Sequence, residues 1–223
     1  MFFKHALIMA AGRGNRMKPL SDLIPKALAP FKGNTLIDNS IEQLYTVVDK
    51  IHITVGYKKV DLATHLLSSS SIDSIINTSG KENVWWIFNS LMSDLDSPVL
   101  VLTCDNVTNL DANFLEKEYK SLNNPACMLV AVKDIKGVEA DKVFSSANKV
   151  KKISRDIDSQ ICCSGIQVIN PKKCNELMKE KESFMDFWNE LMNLSQLYHS
   201  NVYPHRWFSI DSMQQLEQAE LNS

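Results

Sequence analysis

Residues 7–28, LIMAAGRGNRMKPLSDLIPKAL, set Gly12 and Gly14 among Arg13, Arg16, Lys18 and Lys26, directly behind an apolar run. The chain has only 7 glycines, so a pair this close beside so much positive charge points to an anion approaching the backbone. Glycine lets a phosphate or base come close with no Cβ in the way. Successive N–H groups of such a turn can face phosphate oxygens, and Arg16 and Lys26 add charge where those oxygens would lie. Two phosphate motifs do not fit. A Walker loop needs GKS or GKT, whereas Lys26 lies far beyond Gly14 and is followed by Ala27. A GxGxxG fingerprint fails at Met17. A βα turn with solvated basic side chains would carry the same residues. On this short motif a nucleotide, a nucleic acid and no ligand at all stay open.

Composition narrows the choice. The chain has 223 residues, 44% of them hydrophobic and 22% charged, which suits one domain over 1–223 with a core that needs neither disulfides nor metals. A net charge of −2 supplies no basic field for nucleic acid, so no nucleic-acid partner is expected. Cys104, Cys127, Cys162, Cys163 and Cys174 are odd in number and form no CxxC pair, which argues against a disulfide framework or a zinc site. Cys162 and Cys163 read as packing residues, and a reducing cytoplasm is the natural compartment. The N-terminal apolar run is too short for a secretory signal, and no segment approaches the roughly 18 apolar residues of a membrane span. His5, His52, His65, His199 and His205 show no HxxxH or HExxH spacing.

The elements that must position these residues alternate. HALIMAA (5–11) is a buried strand ended by Gly12. Apolar residues at 36, 37, 41, 44, 47 and 48 give 35–48 a helical period. A strand is expected over 50–57, a helix over 60–69, a strand and exit loop over 72–80, and a helix over 83–95. SPVLVLTCDNV (97–107) is the kind of run that a parallel sheet buries on both faces. A helix over 113–122 and a strand over 126–134 follow, with 148–156 and 160–171 as an antiparallel excursion. A helical stretch from Pro171 to Leu197, a strand over 200–211 and a helix over 212–220 close the chain. The pattern argues for an α/β doubly wound sheet.

The longer string AAGRGNRMKPLSDLIPKAL resembles the signature A-A-G-x-G-x-R-[ML]-x-P-L-T…P-K of the sugar-phosphate nucleotidylyltransferases. Ala10, Ala11, Gly12, Gly14, Arg16, Met17, Pro19, Leu20, Pro25 and Lys26 fall in register, and Ser21 replaces the usual Thr. The family ends its central strand in an acidic metal ligand, for which VLVLTCD supplies Asp105, with Cys104 in place of a glycine. RWFSID supplies Asp211 as a second ligand, and CSGIQVINP supplies Gly165 and Ile166 beside the acceptor, with Glu139 as a further acceptor contact. The resemblance implies a Rossmann-like, mixed, mostly parallel sheet of the nucleotidyltransferase (GT-A-like) type. It leaves no room for the C-terminal left-handed β-helix of some members.

The reaction so implied condenses a nucleoside triphosphate with a phosphorylated small molecule and releases pyrophosphate. The favoured acceptor is a sugar 1-phosphate, for surface-polysaccharide or cell-wall synthesis. The acceptor phosphate is already an ionised nucleophile, so positioning and cations should carry the catalysis. Asp105 and Asp211 would hold Mg²⁺ at the α-phosphate. Lys26 would bridge α-phosphate and acceptor, and Arg16 would hold the β and γ phosphates. Ala10, Ala11, Gly12, Arg13, Gly14, Gly80 and Asn83 would contact the nucleotide. No membrane partner is implied, and a homodimer is one assembly open to it.

Each residue also has a plain structural reading. Asp105 before Asn106 is a good turn former, and Asp211 could simply open the last helix. SGKENVW keeps Gly80 but lacks the family's Thr, and is closer to short cytidylyltransferases of the phosphocholine kind. The base is therefore open, with CTP and phosphocholine as the alternative pair. A quaternary-ammonium cage would need rings such as Trp85, Trp86, Trp188 or Trp207, which the sequence does not bring together. Lys151, Lys152 and Arg155 match an acceptor-contacting segment only loosely and read as a solvated basic strand. A nucleotide-sensing homologue without turnover would be expected to lose Lys26 or Asp105, and both are present.

Overall fold

The computed structural model describes residues 1–68, 71–134 and 140–221. β1 (His5–Met9) leads into the glycine loop, the short helix α1 (Leu20–Leu23) and the small hairpin of β2 (Pro30–Phe31) and β3 (Asn34–Thr35). α2 (Leu36–Tyr45) starts where the Thr35 side chain accepts from Asp38 N, a cap that satisfies an orphan helix donor. β4 (Lys50–Val55), α3 (Lys59–Leu67), β5 (Ser74–Asn77), α4 (Trp85–Asn89), β6 (Val99–Thr103) and β7 (Asn106–Thr108) follow. α5 (Ala112–Ser121), capped by Asp111, precedes β8 (Cys127–Lys133), β9 (Lys142–Ser146), β10 (Lys149–Ser154) and β11 (Ile161–Ile169). The last elements are α6 (Pro171–Leu177), α7 (Phe184–Asn193), β12 (Leu197–His199), β13 (Trp207–Ser209) and α8 (Met213–Leu221).

A 9-stranded sheet has the order β5-β4-β1-β6-β11-β8-β12-β10-β9. β5, β4, β1 and β6 are parallel neighbours. β11 enters antiparallel between β6 and β8. β12 is parallel to β8, and β10 is antiparallel to β12 and β9. Within this sheet β11 and β10 therefore run against a direction that the other strands share, which gives the expected mixed, mostly parallel architecture. Alternate residues of β1 feed two cores, as a strand buried on both faces must. Ala6 and Ile8 pack with α2, α3 and α5 residues such as Ile41, Leu62 and Leu115. Leu7 packs on the other face with Trp86, Phe187 and Leu191. A third cluster of Met17, Phe31, Leu36, Val107, Ile210 and Leu216 packs with the two-stranded antiparallel sheet of β7 and β13.

Four expected elements come out shorter or divided. The helix expected over 83–95 covers Trp85–Asn89, because Ser90 Oγ donates to Trp86 O and accepts from Met92 N, diverting the backbone from the helical ladder. The run 97–107 divides at Cys104 and Asp105, and β7 leaves the sheet to pair with β13. The stretch from Pro171 to Leu197 breaks into α6 and α7, the second opened by a Ser183 cap, and Leu197 belongs to β12. The strand expected over 200–211 is confined to Trp207–Ser209. The tryptophans form no cage: Trp86 and Trp188 pack in one core and Trp207 in the other. Lys151 and Lys152 are exposed on β10, and Arg155 pairs with Asp141 at 2.7 Å. All five cysteines are free and buried.

Candidate active site

β1, β4, β5 and β6 end side by side, and their exits surround a cavity of about 510 Å³. β1 delivers Ala10, Ala11, Gly12, Gly14, Asn15 and Arg16 to its wall, and β4 and β5 deliver Thr54, Thr78, Lys81, Glu82 and Asn83. β6 delivers Thr103, Cys104 and Asp105, while Lys26 and Asp211 complete the lining.

The two glycines of the loop do different things. Gly14 sits at φ +64, and a Cβ there would lie 2.7 Å from Lys26 Cβ. It therefore makes room for the Lys26 stem and supplies a left-handed turn. A Cβ on Gly12 would meet nothing within 4 Å, which leaves its backbone face open to a ligand. Gly56 was legible in the sequence only as the end of a strand. A Cβ there would lie 2.8 Å from Ala11 O, and its neighbour Tyr57 donates N–H to the same carbonyl at 3.0 Å. Thr54 and Thr78 gave no signal in the sequence. Thr54 Oγ1 accepts from Ala10 N at 3.2 Å, which pins the start of the loop to β4.

A charged centre is built into the same cavity. Lys26 Nζ is 2.5 Å from Asp105 Oδ2 and 2.8 Å from Asp211 Oδ1. Arg16 Nη2 is 2.9 Å from Asp211 Oδ1. The Lys26 and Asp211 side chains are 11% and 15% exposed, against 56% for Arg16. Burial alone would push the Lys26 ammonium down, but Asp105 and Asp211 more than offset it and hold its pKa above the usual lysine value. Burial likewise opposes the Asp211 carboxylate, and Lys26 with Arg16 holds its pKa below the usual range. Both groups are charged at neutral pH. Burial pushes the Cys104 thiol up to about 12, so it is a protonated wall residue rather than a nucleophile.

Asp105 and Asp211, far apart in sequence, are brought together by the register of β7 on β13, in which Asn106 pairs with Ser209. Ile210 N donates to Asp105 O at 3.0 Å. Asn106 is buried and fully used: Nδ2 donates to Thr103 O at 3.3 Å and to Thr103 Oγ1, and Oδ1 accepts from Trp207 Nε1 at 2.5 Å. Gly165, at φ +81 in an irregular part of β11, comes close behind this post: a Cβ would lie 3.0 Å from Asn106 Nδ2 and Thr103 Oγ1. Ser209 Oγ donates to Asp211 Oδ2 at 3.1 Å, and Asp211 N to Gln215 Oε1 at 2.7 Å.

Of the residues expected at the site, Ala10, Ala11, Gly12, Gly14, Arg16, Lys26, Asn83, Asp105 and Asp211 line one cavity. Arg13 instead lies over the Tyr57 ring, 5.4 Å from its centre. Gly80 shapes the neighbouring turn at φ +71. Ile166 is buried in the core behind Gly165, and Glu139 lies outside the described residues. No group of three or more His, Cys, Asp or Glu side chains that could hold a metal occurs among the described residues. Asp105 and Asp211 nevertheless turn one carboxylate oxygen each toward a single point where a cation, the Lys26 ammonium, is held. Two hard oxygen donors beside room for phosphate fit a magnesium ion that takes its other ligands from substrate and water.

Open parallel sheets bind ligands beyond the carboxyl ends of their strands. The cavity occupies that position, and the fold and its glycine-lined, cationic wall are those of a nucleotide-binding α/β protein. The chain belongs to the MobA-like NTP transferase domain family, whose model matches residues 6–147. It is 26% identical over 227 residues to the bifunctional IPC transferase and DIPP synthase of Aquifex aeolicus, covering 96% of this chain and 50% of that protein. It is 45% identical over 56 residues to the 2-aminoethylphosphonate cytidylyltransferase of Lancefieldella rimae, covering 25% of this chain and 23% of that protein. The chain thus spans half or less of the length of these curated relatives. The inositol-1-phosphate CTP transferase structure from T. maritima shares the fold, with a TM-score of 0.77, 20% identity and coverage of 99% and 95% of the two chains. No helix among the described residues is long and apolar enough to cross a membrane.

Proposed function

We propose that residues 1–223 form a single nucleotidyltransferase domain that joins an NTP to a phosphorylated small molecule and releases pyrophosphate. The observation that carries this reading is the Lys26 ammonium between Asp105 and Asp211, in a cavity also lined by the open Gly12 backbone. In this reading the triphosphate lies along the glycine loop, and the base enters between Ala10 and the Lys81–Asn83 turn. Lys26 bridges the α-phosphate and the acceptor phosphate, so its charge counts most where negative charge accumulates during transfer. Arg16, the more exposed cation, holds the β and γ phosphates. Asp105 and Asp211 would hold Mg²⁺, which when bound would supply charge neutralisation at the α-phosphate. Gly165, through Asn106 and Thr103, sets the side of the site where the acceptor rests. The same reading assigns the chain to the cytoplasm, in keeping with five unpaired, buried thiols.

The acceptor in the first instance is a sugar 1-phosphate, for surface-polysaccharide or cell-wall synthesis. A second reading, cytidylyl transfer to a small phosphoester of another kind, is favoured by the SGKENVW turn and by the cytidylyl and CTP chemistry named for two similar proteins. One screen separates them: pyrophosphate release from four NTPs against sugar 1-phosphates, inositol 1-phosphate, 2-aminoethylphosphonate and phosphocholine. Glu82→Ala and Asn83→Ala should reorder the NTP preference while leaving the acceptor ranking unchanged. Absence of pyrophosphate release across the whole panel would overturn the catalytic reading.

A further inference from the structure

Building on that reading, we infer that Lys26 has a second task in the free protein. Its ammonium is the resident occupant of the metal position, and it must be drawn off by a triphosphate before a divalent cation can be held by Asp105 and Asp211. Metal and nucleotide then bind as a linked pair, with the lysine as the exchange element.

Three observations carry this. First, the ammonium is within 2.5 and 2.8 Å of one oxygen of each acid, so the two oxygens that would face a metal already face a cation. Second, the remaining oxygen of Asp211 is engaged by Ser209, and Arg16 shares the oxygen that Lys26 uses. A metal that approaches the shared Asp211 oxygen therefore meets a cation already in place. Third, the lysine stem lies against the Gly14 backbone, where a Cβ would come within 2.7 Å of Lys26 Cβ and 3.2 Å of its Cδ.

The energetics give the direction of the coupling. Withdrawing Lys26 without a replacement leaves two largely buried carboxylates without their shared counter-charge, which is unfavourable. Replacing it with a dication displaces a largely buried ammonium that has then lost both partners. A triphosphate in the same cavity supplies new anionic partners within a short swing of the side chain. Each ligand must raise the affinity of the other by the same factor, because linkage is reciprocal.

The test measures Mn²⁺ bound to the folded protein without nucleotide, by electron paramagnetic resonance of the free ion, and needs no turnover. Wild type is compared with Lys26→Met, which keeps the stem, with Lys26→Gln as a second neutral variant should the first fold poorly. Lys26→Arg retains the charge. The neutral variants should bind Mn²⁺ at least tenfold more tightly than wild type, and Asp105→Asn in the same background should abolish the gain. Lys26→Arg should stay near wild type. A non-hydrolysable NTP analogue should raise wild-type Mn²⁺ affinity at least tenfold beyond that of the analogue alone. Equal, tight Mn²⁺ binding by wild type and both neutral variants, lost on Asp105→Asn, would overturn the exchange while leaving the metal reading intact. No Mn²⁺ bound in any variant, with or without the analogue, would overturn both.

Discussion

The exit of β1 and the exit of β6 flank the same cavity and are built in opposite ways. At β1 the loop offers backbone: Gly12 has no neighbour within 4 Å of its missing Cβ, and Arg16 is 56% exposed. At β6 the turn offers side chains that are tied from several directions. Asn106 is bonded to Thr103 and Trp207, Ile210 reaches back to the Asp105 carbonyl, and Ser209 and Gln215 hold Asp211. A loop that must fit a ligand keeps space open beside its backbone. A post that must keep two like charges at a set separation has to be over-determined, since carboxylates left to themselves move apart. Lys26 joins the two, since its stem passes Gly14 and its charge ends on the post, where Arg16 of the loop also reaches Asp211.

The contrast is sharpest in activity. Asp105→Asn should lower turnover by about 10³-fold, with unfolding still cooperative, because a neutral amide keeps the shape of the post and removes its charge. Lys26→Ala should lower kcat by roughly 10²–10³, the scale of one lost preorganised electrostatic contact, while calorimetric NTP affinity falls much less. Wild-type turnover in both variants, measured by pyrophosphate release, would remove the β6 post from the chemistry.

Stability should divide the two exits next. Asn106→Leu leaves Trp207 Nε1 buried without its acceptor and should cost about 2 kcal/mol, a drop of roughly 4–8 °C in Tm for a chain of this size. Gly14→Ala should cost about 1–2 kcal/mol for its left-handed backbone, with added strain against Lys26. Gly12→Ala should change stability by less than about 0.5 kcal/mol yet weaken NTP binding severalfold. Thermal scans paired with NTP titration check all three. A Gly12 variant as unstable as the Gly14 variant would erase the distinction between an uncommitted and a committed glycine.

A pH-dependent effect on stability lies at the opposite end of the parallel strands. His5 Nδ1 and His52 Nε2 are 2.9 Å apart, and Ser74 Oγ is 2.7 Å from His52 Nδ1. Burial, then the neighbouring His5, pushes His52 from 6.5 down to about 4, with Lys50 lowering it further and Asp73 opposing. The unfolded chain therefore takes up the proton more readily than the folded one. Stability is full above pH 6.5, falls as the pH drops through the interval, and levels off below about 4. The ring is partly open to solvent, so the loss should be no more than about 2–4 °C in Tm. His52→Gln should flatten the dependence in a pH series of melting curves, and an unchanged slope would show that other groups carry it.

The sequence alone was enough for the alternating elements of a doubly wound sheet and the glycine loop with Lys26 behind it, because strand runs, helix periods and turn glycines are local properties of the chain. The mixed, mostly parallel type followed from the family resemblance. Asp105 was legible as the polar end of a buried strand, and its reading as a ligand came with the family resemblance. Where the local signal was thin, tertiary contacts decided. Ser90 ended a helix that the apolar pattern would have continued, and Leu197 joined a strand because β8 offered it an edge. Thr54 and Gly56 took part in the loop only through β4 lying beside β1. The Lys26–Asp105–Asp211 cluster is the clearest case. Each residue type can be read in the string, but their meeting depends on the register of β7 on β13 and on the cluster of Met17, Val107 and Ile210 beneath it. Such long-range pairing is set by the packing of the whole sheet, and no spacing along the chain encodes it.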